Sequence, residues 1–147
     1  MLRLNHTSLH KIKLHAMRTY PEECCGMLLG KRMDEEKFVC DILSMNNTMK
    51  EDHETRYLIT PEEYKKAEEL ASQEDVSLIG MYHSHPDHPA RPSQFDLEHA
   101  MPWWSYVIVS VQEGQPAAIK SWVLRDDRSM FDEENLHILD GEFKHLC

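Results

Sequence analysis

No apolar run in this 147-residue chain approaches the roughly 20 residues that a membrane-spanning helix needs. The opening stretch, MLRLNHTSLHKIKL, has no continuous apolar segment of the kind a secretory leader requires. Positive charge is scarce: 16 Lys and Arg stand against 26 Asp and Glu, a formal net charge of -10. That balance argues against a nucleic-acid backbone or an anionic membrane as a partner. The four cysteines, Cys24, Cys25, Cys40 and Cys147, form no CxxC pair. They read as buried free thiols in a reducing, cytoplasmic setting. Internal repeats and low-complexity stretches are missing as well. What is left, 41% apolar and 29% charged residues, suits one globular domain over residues 1–147 that can bury a core.

The chemistry concentrates between Ile79 and Met101, IGMYHSHPDHPARPSQFDLEHAM. His83 and His85 are one residue apart at the end of an apolar run. On a strand they share a face, because side chains alternate with period 2, and their ring nitrogens could converge on one ion. Asp96, on the helix that Ser93 starts, could supply a third ligand. Two imidazoles and one carboxylate leave a fourth tetrahedral position open, as in catalytic zinc sites. Zinc lowers the pKa of a water in that position to about 7. A plainer reading exists for the same residues. Ser93-x-x-Asp96 has the form of a capping box, and a chain with ten histidines carries some on its surface.

His83-Ser84-His85-Pro86 followed by Ser93 and Asp96 resembles the JAMM (MPN+, Mov34/PAD-1) metalloprotease signature, His-x-His-Pro-x6-Ser-x2-Asp. The six residues from Asp87 to Pro92 match its spacing. That family also needs an upstream glutamate beside a buried strand, and Pro21-Glu22-Glu23-Cys24-Cys25-Gly26-Met27-Leu28-Leu29-Gly30 is similar to that segment. The residues themselves do not separate Glu22 from Glu23; the resemblance favours Glu23, next to the apolar run. It spans roughly Thr7 to Val123. It implies an α/β fold of three layers, α/β/α, with a mixed sheet flanked by helices, the type shared with cytidine deaminases. It implies Zn2+ held by His83, His85 and Asp96, with Glu23 moving the proton and Ser93 donating to the oxyanion. Small bacterial proteins of this kind trim ubiquitin-like sulfur-carrier proteins at a C-terminal Gly-Gly tail. A deubiquitinase-like isopeptidase and a non-catalytic MPN interaction module are the alternatives. A zinc deaminase would need His-x-Glu and Pro-Cys-x-x-Cys, which the sequence lacks.

Along the chain, Thr7 or Ser8 caps a predicted helix that runs to about Arg18 and ends before Tyr20-Pro21. Strands are predicted over Cys24–Arg32 and Lys37–Leu43 as an antiparallel hairpin. Ser44–Thr55 is long and polar, and reads as a flexible clamp beside the substrate groove, with His53 solvated. Arg56–Ile59 is a short predicted strand. Thr60-Pro61-Glu62-Glu63 starts a helix to about Gln73, with Tyr64, Ala67, Leu70 and Ala71 inward. Ser77–His83 is a buried strand, and Ser93–Ala100 a helix. His88 reads as an extra ligand or a solvated group, Arg91 as a holder of a substrate carboxylate or a solvated charge, and His99 as a partner of Asp96 or a surface residue. Trp103 and Trp104 form an aromatic corner. Tyr106–Val111 and Ala117–Leu124 pair as a hairpin, and the tail adds one edge strand over Glu134–Leu139.

Overall fold

The computed structural model describes residues 1–47, 59–140 and 147. All of the predicted Arg56–Ile59 strand but Ile59, which lies outside any strand, falls at 48–58 with most of the Ser44–Thr55 clamp and His53, outside the described residues.

The chain opens with a short strand, β1 (Leu2–Asn5), that periodicity did not signal. Its last residue is the true cap of helix α1 (His6–Thr19): the Asn5 side chain accepts from the Ser8 amide at 2.8 Å, so neither Thr7 nor Ser8 plays that part. Strands β2 (Cys25–Met33) and β3 (Glu36–Met45) form the expected antiparallel hairpin. Thr60 caps α2 (Pro61–Gln73), with Pro61 where a missing N–H costs nothing. Strand β4 (Ser77–Pro86) runs past the histidines, α3 (Gln94–His99) follows, and β5 (Ser105–Gln112) and β6 (Gln115–Leu124) make the second hairpin. Among the described residues no helix is long and apolar enough to cross a membrane.

Eight strands form one mixed sheet in the order β7-β6-β5-β4-β2-β3-β1-β8, where β7 is Phe131–Glu134 and β8 is Leu136–Leu139. Ile12 and Ala16 of α1 pack on one face with Leu28, Tyr82 and Val107. Ala67 and Ala71 of α2 pack on the other with Met27, Met81 and Tyr106. The sheet between helical layers matches the α/β expectation. Period 2 explains the division: Met27 and Leu29 face α2, while Leu28 between them faces α1. Gly26 leaves room for the Tyr82 ring of the neighbouring strand, with which any Cβ there would collide.

The tail departs from expectation. It holds two strands, not one, and they lie at opposite margins of the sheet with only Asn135 between them. The sheet therefore curls until its two margins meet. Asn135 carbonyl accepts from the Leu2 amide, and a buried polar cluster fills the seam. Lys37 Nζ donates to Trp103 O and Ser105 Oγ, both at 2.8 Å, and Ser105 and Ser121 hydroxyls donate to Glu134 Oε1. Burial lowers the Lys37 pKa while Glu134 opposes the shift.

The aromatic corner divides into two roles. Trp104 is buried and stacks on Tyr64, whereas Trp103 is 58% exposed. The free-thiol expectation holds only for Cys24 and Cys25. Cys40 of β3 is joined to Cys147 in a disulfide across 107 residues of sequence, a pairing no local spacing could reveal. Alkylation of the unfolded, unreduced chain followed by mass measurement should therefore tag two cysteines; four tags would contradict the pairing.

Candidate metal centre

Four side chains from three separate parts of the chain meet at one end of β4. In the sheet register Cys25 lies opposite His83, so the start of β2 is level with the histidines. Glu23, just before β2, has alternate-residue parity with Cys25 and faces the same side as His83 and His85. The turn after β4 then brings in the first turn of α3. There Ser93-x-x-Asp96 forms the capping box of the plainer reading. Ser93 Oγ accepts from the Asp96 amide at 3.1 Å, and Asp96 Oδ2 accepts from the Ser93 amide at 2.8 Å. The capping box aims the Asp96 carboxylate at the imidazoles.

His83 Nε2, His85 Nε2 and Asp96 Oδ2 form a triangle whose three sides are each 3.2 Å. Ligand atoms 2.0–2.1 Å from a shared tetrahedral ion would be spaced by about 3.3–3.4 Å, so the triangle fits an ion of zinc's size. Glu23 Oε1 stands 4.0 Å from His83 Nε2, and one ligand atom from each of the four residues lies within 4.8 Å of the others. Both Glu23 carboxylate oxygens are buried and have no hydrogen-bond partner among the described residues. A buried polar group left without a partner is costly, and a polar ligand or reactant beside it would remove that cost.

The electrostatics favour cation binding. Burial lowers the His83 pKa, against the pull of Asp96, and so keeps its ring neutral. Burial alone would raise Asp96, but the His83 imidazole first, then its contact with His85 and the hydrogen bond from the Ser93 amide, hold it well below the usual carboxylate range. Neutral imidazole and ionised carboxylate are the forms that bind metal. Glu23 behaves oppositely: with no cation beside it, burial, then the charge of Asp96, push it up to about 9.

His85 is oriented from behind. Its Nδ1 lies 2.9 Å from the Pro89 carbonyl, which can only accept, so Nδ1 carries the proton and the Nε2 lone pair is free. The neighbouring carbonyls are held as firmly: His88 O by the Ser110 hydroxyl at 2.6 Å, and Ala90 O by Trp122 Nε1 at 3.0 Å. Asp87 is fixed by the Tyr20 hydroxyl at 2.6 Å and the Glu113 amide at 2.9 Å. Sequence reasoning missed this shell, because backbone carbonyls leave no motif.

The structure separates the residues left open. Glu22 is exposed, and Glu23 is 1% exposed beside His83. His99 bonds the Phe95 carbonyl and stacks on that ring, away from Asp96. His88 stays outside the four-residue group. It lines a cleft of about 520 Å³ together with Glu23, His85, Pro86, Pro89, Arg91 and Ser93.

The chain is similar to several known proteins. The chain is 33% identical over 104 residues to a desampylase of Pyrococcus furiosus, covering 71% of this chain and 68% of that one. It is 31% identical over 119 residues to a probable TtuB-protein conjugate cleaving protease of Thermus thermophilus, covering 76% of each. It is also 31% identical over 121 residues to tail tip assembly protein K of Escherichia phage N15, covering 80% of this chain but only 44% of that longer protein. A solution structure from Desulfitobacterium hafniense superposes with a TM-score of 0.87 at 28% identity, covering 100% of this chain and 99% of its own. A JAB1/MPN domain protein of Archaeoglobus fulgidus shares the fold, with a TM-score of 0.58 at 17% identity over 95% of this chain and 97% of its own. Residues 7–125 match the family described as prokaryotic homologs of the JAB domain, and the chain belongs to that family.

Proposed function

We propose that the chain is a zinc-dependent peptidase, one domain over residues 1–147. It would hydrolyse a peptide or isopeptide bond at or after the C-terminal Gly-Gly of a ubiquitin-like sulfur-carrier protein. The observation that carries this reading is the 3.2 Å triangle with a buried, unpartnered glutamate at its side.

His83, His85 and Asp96 would hold the zinc. When bound, zinc supplies a Lewis acid that polarises a carbonyl and acidifies a neighbouring water. Glu23 takes the proton of the attacking water at its carboxylate and returns it to the departing nitrogen. Its burial excludes bulk solvent from that exchange. Ser93 Oγ accepts from the Asp96 amide, so its own hydrogen remains free for the carbonyl oxygen as negative charge develops there. The Pro89 carbonyl keeps the His85 ring from turning.

The names of the relatives, a desampylase and a conjugate cleaving protease, support a ubiquitin-like substrate and favour bonds between a carrier and another protein. The test uses the purified full chain. Metal analysis should find about one zinc per chain. Incubation with sulfur-carrier proteins extended beyond Gly-Gly should shorten them by mass spectrometry. Unchanged masses across several carriers, in acid-extended and isopeptide-linked form, would reject the substrate; activity of rigorously metal-free protein would reject the mechanism.

A further inference from the structure

No hydrogen bond holds the Glu23 carboxylate. Both of its oxygens are buried and have no hydrogen-bond partner among the described residues, so nothing at the tip of the side chain fixes its direction. Its placement has to come from packing and from the backbone that carries it. That backbone lies outside β2, whose ladder with β4 ends at the Cys25–His83 pair. Chain beyond the last rung of a ladder ordinarily frays.

The Glu23–Cys24 peptide is instead gripped on both of its polar groups by side chains from distant parts of the chain. The Cys24 N–H donates to Ser84 Oγ at 2.8 Å, in the buried interior. The Glu23 carbonyl accepts from Asn47 Nδ2 at 3.1 Å. The Ser84 amide adds a third tie, donating to the Cys24 carbonyl at 3.1 Å. A peptide unit is planar, so fixing its N–H and its carbonyl fixes the plane and the Cα from which the Glu23 side chain springs. Asn47 stands two residues past the end of β3, and Ser84 stands between the two histidines.

Ser84 is placed for this duty and for no other at the site. Side chains alternate along β4, so Ser84 faces away from His83 and His85, on the side where Tyr82 and Cys24 pack with α1. It is 0% exposed. Its hydroxyl therefore meets neither the ion's place nor a substrate, and reaches the chemistry through the Glu23 backbone.

We propose that Ser84 and Asn47 are positioning residues for the proton-transferring glutamate. Clamping the Glu23–Cys24 peptide from two sides, they hold the carboxylate beside His83 without spending a hydrogen bond on either of its oxygens, both of which stay open for the water's proton. The inference rests on the peptidase reading and deepens it.

The test uses the zinc-loaded full chain, with a carrier protein extended beyond Gly-Gly as the probe. Ser84→Ala should keep its zinc and its KM and lose about 10- to 100-fold in kcat, the effect of a displacement on the order of 1 Å at a reacting group. Ser84→Thr, which keeps an oxygen at that place, should recover most of the loss. In a Glu23→Gln background Ser84→Ala should cost little more, since a residue acting through the carboxylate has nothing left to act on. Apart from turnover, the Cys24 amide should exchange with solvent about 10-fold or more faster in Ser84→Ala than in wild type. Asn47→Ala, at a half-buried position, should repeat the kcat loss and keeps the test alive if Ser84→Ala does not fold. Full kcat in either variant would overturn the proposal. So would equal losses in the wild-type and Glu23→Gln backgrounds, or a kcat loss that tracks lost zinc; in each case the peptidase reading would stand. Failure of the wild type to cleave any extended carrier would sink both.

Discussion

Glu23→Gln should turn over substrate on the order of 10²–10⁴ times more slowly than wild type while holding its full complement of metal. The amide keeps the size and burial of the acid, so the triangle of His83, His85 and Asp96 is undisturbed. It cannot accept the proton of water. The same substitution has a second, opposite effect on the metal-free protein. Folding raises the Glu23 pKa from 4.5 to about 9 through burial and the nearby Asp96. Between those two values the folded chain holds a proton that the unfolded chain has released, so folding takes one up. Stability of the metal-free protein therefore falls as pH rises through that window and levels off above it. Glutamine does not titrate. Metal-free Glu23→Gln should thus be more stable than wild type at pH 8 by several kcal/mol, with the gap closing toward pH 5. Thermal melts of both proteins, with and without chelator, measure it. A variant with normal turnover would move the base elsewhere. A stability gap independent of pH would mean that Glu23 does not sit as an acid in its pocket.

How far the sequence reached depended on distance along the chain. His83, His85, Ser93 and Asp96 lie within thirteen residues of one another, so their spacing alone pointed to the chemistry. Glu23 lies sixty residues upstream, and residue types could not tell it from Glu22. The choice came from resemblance, and β2–β4 pairing shows its physical basis: the residue with Cys25's parity faces the histidines. Strong periodic elements such as α2 and β5 were legible too. β1 was not, because four residues give too few alternations to stand out from a helix start. The curling of the sheet was invisible for a different reason. It depends on Lys37, Ser105, Ser121 and Glu134, ordinary polar residues far apart in sequence that become a buried cluster only once the margins meet. The Cys40–Cys147 pairing is the same kind of long-range fact.

The proposed function gives Asp96 a second duty through the oxygen that caps α3, and substitutions can pull the two apart. Oδ2 accepts from the Ser93 amide at 2.8 Å as part of the helix cap, and stands 3.2 Å from each imidazole as a candidate ligand. Asp96→Asn keeps an acceptor for the Ser93 amide, so the cap and the start of α3 should survive. It removes the negative charge that the cation needs. Metal affinity should fall more than about 100-fold, beyond the loss typical of an outer partner, and activity on the order of 10³-fold or more. Asp96→Ala loses both duties, and should add about 1 kcal/mol of destabilisation from the missing cap. Ser93→Ala completes the comparison: it loses the hydroxyl half of the cap and the proposed donor to the carbonyl oxygen, yet leaves all three candidate ligand atoms. It should bind metal like wild type and turn over about 10²–10³-fold more slowly. Metal titration, melting and kinetics on the three variants separate the duties. If Asp96→Asn bound metal as tightly as wild type, the carboxylate would be a helix cap and nothing more, and the histidines would need another partner.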